Sequence, residues 1–211
     1  MLYKIYIFVK IQPMKNLLLI IVLITSSIYA QDKKEKTSLE YQQHLNEEFA
    51  DSLKSPLTNE DRNHFKALDF FTIDNKYVVE AVLIRTKNEK KFKMKTSTNR
   101  TPIYKKYGEL HFTLEGKELK LNVYQNIDLM KLQDYKDYLF LPFSDLTNGK
   151  ESYIGGRYID MKIPEGHKVT IDFNKAYNPY CAYNYEYSCP IVPLENDLNI
   201  EIKAGVKKFH D

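Results

Sequence analysis

Residues 172–196 spell DFNKAYNPYCAYNYEYSCPIVPLEN, and this run concentrates side chains that could do chemistry. It holds both cysteines of the chain, five tyrosines between Tyr177 and Tyr187, three prolines and four asparagines. The tyrosines fall mostly two or three apart, so in an extended loop several of them share one side. Stacking rings beside hydrogen-bonding amides make a platform for a sugar or a peptide. The same composition also suits a rigid loop packed over the open end of a sheet, each hydroxyl satisfied by backbone. At the start of the run, Asp172 and Asn174 either form an Asx-type turn that ties off a strand or set a general base beside an amide donor.

More acids lie just upstream. Asp145, Glu151, Asp160, Asp172 and Glu195 fall at strand ends or in loops. Arg157 follows Gly155-Gly156, a pair that lets the backbone turn tightly or approach another group closely. An arginine held near such acids clamps a carboxylate or phosphate; the alternative is a buried ion pair pinning long loops. The candidate polar site beneath the tyrosine loop is therefore Asp145, Glu151, Tyr153, Arg157, Asp172, Asn174, Tyr177, Asn178, Tyr183 and Glu195. The sequence assigns none of them a catalytic role. His44, His64, His111, His167 and His210 are too scattered for ligand spacing, so no metal site and no cofactor are expected. Gly155-Gly156 lacks the Lys-Ser/Thr of a phosphate loop, and neither Gly-x-Ser-x-Gly nor His-Glu-x-x-His occurs.

Compartment bears on the cysteines. Met14-Lys15-Asn16 precedes the apolar run from Leu17 and the small-residue end at Ala30, the pattern of a secretory signal peptide over residues 1–30. Met14 is read as the start, with an extended signal from Met1 as the alternative. The apolar run is short of the roughly 20 residues that span a bilayer, so no stable anchor is expected after cleavage. The chain is expected to be exported, to the periplasm or beyond. In that setting Cys181 and Cys189 are expected to form a disulfide, which contributes on the order of 2–3 kcal/mol by chain entropy. A metal pair and a reactive thiol are the alternatives. The first thirty residues carry three of the 31 basic side chains and no acid, so the remainder balances at 28 of each sign. A neutral chain without a basic block argues against a nucleic-acid partner.

Residues 31–37 form a charged lead-in, and 38–211 suit a single domain. Ser38 is the expected cap of a first helix carrying Leu39, Tyr41, Leu45, Phe49 and Leu53 on one face. Ser55-Pro56 ends it, and a short second helix starts near Thr58. After Asp69 the period changes to two. Strands are expected over 77–84, 90–97, 103–104, 109–114, 118–124, 137–143, 156–161, 167–173 and 198–204, with a tight hairpin at Glu115-Gly116-Lys117. The expected fold is mainly β: an antiparallel β-sandwich or barrel with one or two N-terminal helices.

Taken in order, Ser55-Pro56-Leu57 with Arg62 and Phe65, PFSDLTNGKESYIGGRYID (142–160), DFNKAYNPYCAYNYEYSCPIVPLENDL (172–198) and IKAGVK (202–207) resemble a bacterial and archaeal family known only as domain of unknown function 1684. The resemblance spans about residues 38–207. It implies one fold and supplies no activity. Val206 stands where the family usually has Glu after Ala-Gly, and Val192 where proline is common. Some members lack export signals, which keeps a reduced cysteine pair open.

Three functions fit the residues. The first is an exported β domain that binds a small polar ligand or glycan in a Tyr/Asn-rich pocket. The others are a hydrolase with a carboxylate base and a structural domain with a fully paired polar cluster.

Overall fold

A computed structural model describes residues 37–210; the signal-peptide reading and most of the lead-in lie outside these residues. Helix α1 spans Ser38–Ala50. Its cap is Thr37, one residue earlier than expected, because Glu40 sits where a capping box needs it: the Thr37 hydroxyl accepts from Glu40 N–H, and Glu40 accepts from Thr37 N–H at 2.8 Å. Thr37→Ala is expected to cost about 1 kcal/mol, measured as a drop in melting temperature. Ser38 is left free to donate to Asp172 Oδ2 at 2.7 Å. Gln42, Leu45 and Phe49 form the buried stripe, while Leu39 and Leu53 face solvent. Helix α2 (Asn59–His64) begins after Thr58, whose hydroxyl accepts from Asp61 N–H. Phe49, Leu57, Leu68, Tyr183 and Val206 pack together where the helices meet the rest of the fold.

The rest is mainly β, as the sequence predicts. The strands are β1 (Val78–Arg85), β2 (Lys91–Lys93), β3 (Ile103–Leu114), β4 (Lys117–Asn126), β5 (Tyr138–Asp145), β6 (Arg157–Lys162), β7 (Lys168–Asp172) and β8 (Asp197–Leu198). They form one sheet in the order β6-β5-β4-β3-β1-β7, with β2 on β3 and β8 on β5. All pairings are antiparallel except β5 with β8. The two stretches expected at 103–104 and 109–114 are one strand, interrupted by a bulge between Lys106 and Gly108. The β3–β4 hairpin closes as expected: Leu114 pairs with Lys117, and Glu115 and Gly116 both take positive φ (50° and 75°), as a two-residue primed turn requires.

Topology forces the sheet to curl. The strands β6 and β7 end opposite flanks of the order but are consecutive in sequence. The link from Lys162 to Lys168 reaches roughly 20 Å at full extension, whereas a flat row of six strands would separate them by about 24 Å. The result is a half-barrel. Its inner face carries Val79, Ala81, Leu110, Phe112, Leu121, Val123, Leu139, Leu141, Phe143 and Ile159, all buried.

The segment expected as a strand over 198–204 pairs as a strand only through β8, with one further backbone bond from Leu146 N–H to Ile200 O at 3.0 Å. Beyond it Ile200, Ile202 and Ala204 are still buried alternately, but side chains replace the ladder. Asp145 Oδ1 accepts from Ile202 N–H at 3.1 Å, and Arg157 donates to the carbonyls of Ile202, at 2.7 Å, and Ala204.

Candidate functional site

Strands β5 and β6 are apolar or aromatic on both faces. Leu139, Leu141, Phe143 and Ile159 point into the half-barrel. Tyr138, Phe140, Tyr158 and Asp160 alternate with them and point the other way. Register sets Phe140 directly opposite Asp160 and Tyr124 opposite Phe140. A strand apolar on both sides needs a second cover, and the tyrosine-rich run supplies it. Tyr177 exchanges two backbone hydrogen bonds with Tyr158, at 2.9 and 3.0 Å, along the outer edge of β6. Further on, Pro190 bridges to Thr96, and Ile191 N–H donates to Lys95 O at 2.9 Å. Beneath this loop Met94, Tyr104, Tyr124, Phe140 and Tyr158 pack as a separate aromatic cluster, with Phe140 and Tyr158 edge-to-face at 4.7 Å.

Asp160 is the anomaly of this layer. Its Oδ1 accepts from the hydroxyls of Tyr138 and Tyr177, both at 2.6 Å. It is exposed, yet desolvation by the surrounding protein raises its pKa above the ordinary carboxylate range, against the lowering effect of both tyrosine bonds. A carboxylate on a convex surface is not desolvated; one at the bottom of a recess is both reached by water and crowded by protein. Its field extends to Tyr41 of α1, Tyr104 of β3 and Tyr180 of the loop, and it helps to raise the pKa of each. Helix, sheet and loop thus bring five tyrosines around one acid.

The residues expected to gather under the loop do not form one site. Asp145 and Arg157 are a fully buried ion pair at 2.7 Å on the inner side of the sheet. Asp145 also accepts from Thr147 N–H and hydroxyl at 2.9 and 2.7 Å. Burial lowers the Arg157 pKa, with Asp145 opposing. Arg157 and Asp160 are three residues apart in a strand and so face opposite ways. Gly156 (φ 85°) allows the close approach before Arg157: a Cβ there would lie 2.6 Å from Phe143 O. Asp172 caps the turn after β7, accepting from Asn174 N–H at 3.0 Å, and receives the Ser38 hydroxyl of α1. Asn174 is buried and bonds both ways to the Asp74 backbone at 3.1 Å. Glu151 is a surface acid beside Lys203 at 3.3 Å. Asn178 donates to Lys207 O at 2.8 Å, and Tyr183 is buried edge-on to Phe49 at 4.7 Å. Glu195 lies exposed in the turn Leu194–Asn196. Of the ten, Tyr177 alone bonds to Asp160.

Cys181 and Cys189 are free thiols side by side. Cys189 Sγ accepts from Cys181 N–H at 3.1 Å, and the Tyr153 hydroxyl lies 3.9 Å from Cys181 Sγ. The Cys189 thiol, by hydrogen bonding, holds the Cys181 pKa down to about 6, while Cys189 itself is pushed up. Alkylation of reduced protein by iodoacetamide, followed by peptide mass, is therefore expected to modify Cys181 with a midpoint near pH 6. In Cys189→Ala that midpoint should move up toward the ordinary thiol range.

Among the described residues no cluster of three or more His, Cys, Asp or Glu is placed to hold a metal, and no helix is long and apolar enough to cross a membrane. No curated protein matches the chain. Among solved structures it is similar to the solution NMR structure of an uncharacterized protein of Haloarcula marismortui. The two share 28% identity over 92% of this chain and 97% of that one, with a TM-score of 0.63. That likeness takes in the half-barrel together with its loop cover, and the family model described as "Protein of unknown function (DUF1684)" matches residues 63–207, so the chain belongs to this family.

Proposed function

We propose that the protein is a binding domain for a small polar ligand, seated in the tyrosine-walled recess over Asp160. One observation carries this reading. A solvent-reached carboxylate is held by two tyrosine hydroxyls through a single oxygen, and no other described residue bonds to it. Groups that only stabilise a fold find several partners, as Asp145 and Asn174 do. Asp160 instead keeps an oxygen open toward water beside aromatic faces, the arrangement of a polar anchor in a ligand site. Export through the N-terminal segment belongs to the same proposal, as does a Cys181–Cys189 disulfide in an oxidising compartment. The adjacency of the two thiols supports that bridge.

The chain has no tryptophan and 17 tyrosines, so its own emission reports on the recess. Titration of the full chain with small polar compounds, followed by tyrosine fluorescence and calorimetry, is expected to show saturable binding. Asp160→Ala should lose it without a fall in melting temperature. Binding retained in Asp160→Ala overturns the proposal. The hydrolase reading draws on the raised Asp160 pKa, which makes this carboxylate a stronger proton acceptor than an ordinary one; turnover that disappears in Asp160→Asn would favour it.

A further inference from the structure

The charge around Asp160 says what kind of ligand the recess takes. We propose, on the recess reading above, that the ligand is a small organic cation whose ammonium group pairs with Asp160. No ion pair reaches Asp160 among the described residues, although basic side chains stand nearby in sequence. Lys162, two residues on, is turned to Asp137 at 2.9 Å. Arg100 is close enough to act on Tyr104, but its guanidinium is spent on Ser188, donating to the hydroxyl at 3.1 Å and the carbonyl at 2.7 Å. The groups that act on Asp160 are protein burial and the two neutral hydroxyls of Tyr138 and Tyr177.

A second acid deepens the negative potential. Glu48 of α1 acts on Tyr41 and on Tyr180, the tyrosines that also feel Asp160. Its partner is His44, at 3.3 Å. Among the described residues Asp160 thus has no lysine or arginine paired to it, and a second carboxylate, Glu48, stands by two of the tyrosines around it.

Geometry adds to charge. Both tyrosine hydroxyls bond to Asp160 Oδ1, and no donor among the described residues reaches Oδ2. An ammonium N–H fits that vacant oxygen as a charge-assisted donor. The surrounding rings suit the rest of such a ligand, because a ring face carries negative charge density and attracts cations. Tyr158 and Tyr177 cross edge-to-face at 5.8 Å, so face and edge both line the layer. An anionic ligand would be repelled by Asp160 and Glu48. A neutral sugar could donate hydroxyls to the carboxylate but would bury it without a countercharge.

The test uses n-butylammonium chloride, tetramethylammonium chloride, sodium butyrate and methyl glucoside against the full chain, with binding followed by tyrosine fluorescence and NMR chemical shifts. The expected result is saturable binding of n-butylammonium, weakened about tenfold or more in Asp160→Asn and weakened by added sodium chloride. Butyrate and the glucoside should not bind. Tetramethylammonium, which lacks an N–H, should bind more weakly than n-butylammonium. Glucoside or butyrate binding that Asp160→Asn abolishes, with no ammonium binding, overturns the cation proposal and leaves the recess reading standing. Ammonium binding of equal strength in Asp160→Asn overturns it by moving the site elsewhere. A protein that responds to none of the four overturns the cation proposal and removes support for the recess reading as well.

Discussion

Arg157→Met lowers the melting temperature by on the order of 10 °C, while Asp160 keeps both of its tyrosine partners. Arg157 is fully buried, its side chain 0% exposed like that of Asp145, and the two meet at 2.7 Å. Removing one partner of such a pair typically costs about 3–5 kcal/mol, because the other charge stays behind in a dry interior. In a domain of this size each kcal/mol moves the melting point by roughly 2–4 °C. The loss extends beyond the pair. Ile202 O and Ala204 O would lose their donor, and these contacts fasten the segment after β8 to the sheet. Methionine matches the aliphatic volume and leaves Phe143 and Phe71 their neighbour, so the effect isolates the charge. Asp145→Leu combined with Arg157→Met should recover part of the loss, since it removes the stranded carboxylate. Circular dichroism melts of the two variants decide this. A single variant that melts within a degree or two of the parent would show that the pair holds nothing.

The β pattern was legible in the sequence because one buried face imposes a period of two. Leu110, Phe112 and Leu114 mark β3 as surely as Glu115-Gly116 marks its turn. The tyrosine run could be recognised as a cover from its composition alone. Which acid it covers could not, because that depends on strand parity and register together. Arg157 and Asp160 look like neighbours in GGRYID, yet alternation sends the first into the half-barrel and the second beneath the loop. A usable signal was present: Tyr138 and Phe140 on β5, and Tyr158 on β6, stand on the face opposite Leu139, Leu141 and Ile159. Aromatic residues on both faces announce that both are covered, which makes any acid among them conspicuous. The stretch 198–204 misled for the converse reason. Its alternating burial is that of a strand, but Asp145 and Arg157 take the backbone groups that a neighbouring strand would have paired.

Asp160→Asn is expected to act in the opposite direction and raise the melting temperature at pH 7 by a few degrees, about the gain typical when a charge kept for function is removed. The sign follows from the raised pKa of this carboxyl in the fold. Its unfolded value is near 3.9, so over the interval between the two values the folded state binds more protons than the unfolded one. Stability then falls as pH rises through that interval, and the penalty is complete above the folded value. Asparagine never ionises and escapes it, while its carbonyl oxygen still accepts from Tyr138 and Tyr177. The advantage of the variant should therefore open as pH rises from about 3 and close again below that. The groups that face Asp160 are Tyr41 from α1, Tyr104 from β3, Tyr138 from β5, and Tyr177 and Tyr180 from the loop. The tyrosines stay neutral over this range, raised as they are by burial, and Glu48 of α1 is an acid that acts on Tyr41 and Tyr180 beside them. Glu48→Gln in both backgrounds separates its contribution. Melts of parent and Asp160→Asn at intervals between pH 3 and 8 carry the test. A variant less stable than the parent at pH 7 would make Asp160 a structural acid like Asp145, and the recess would lose its claim to be a site.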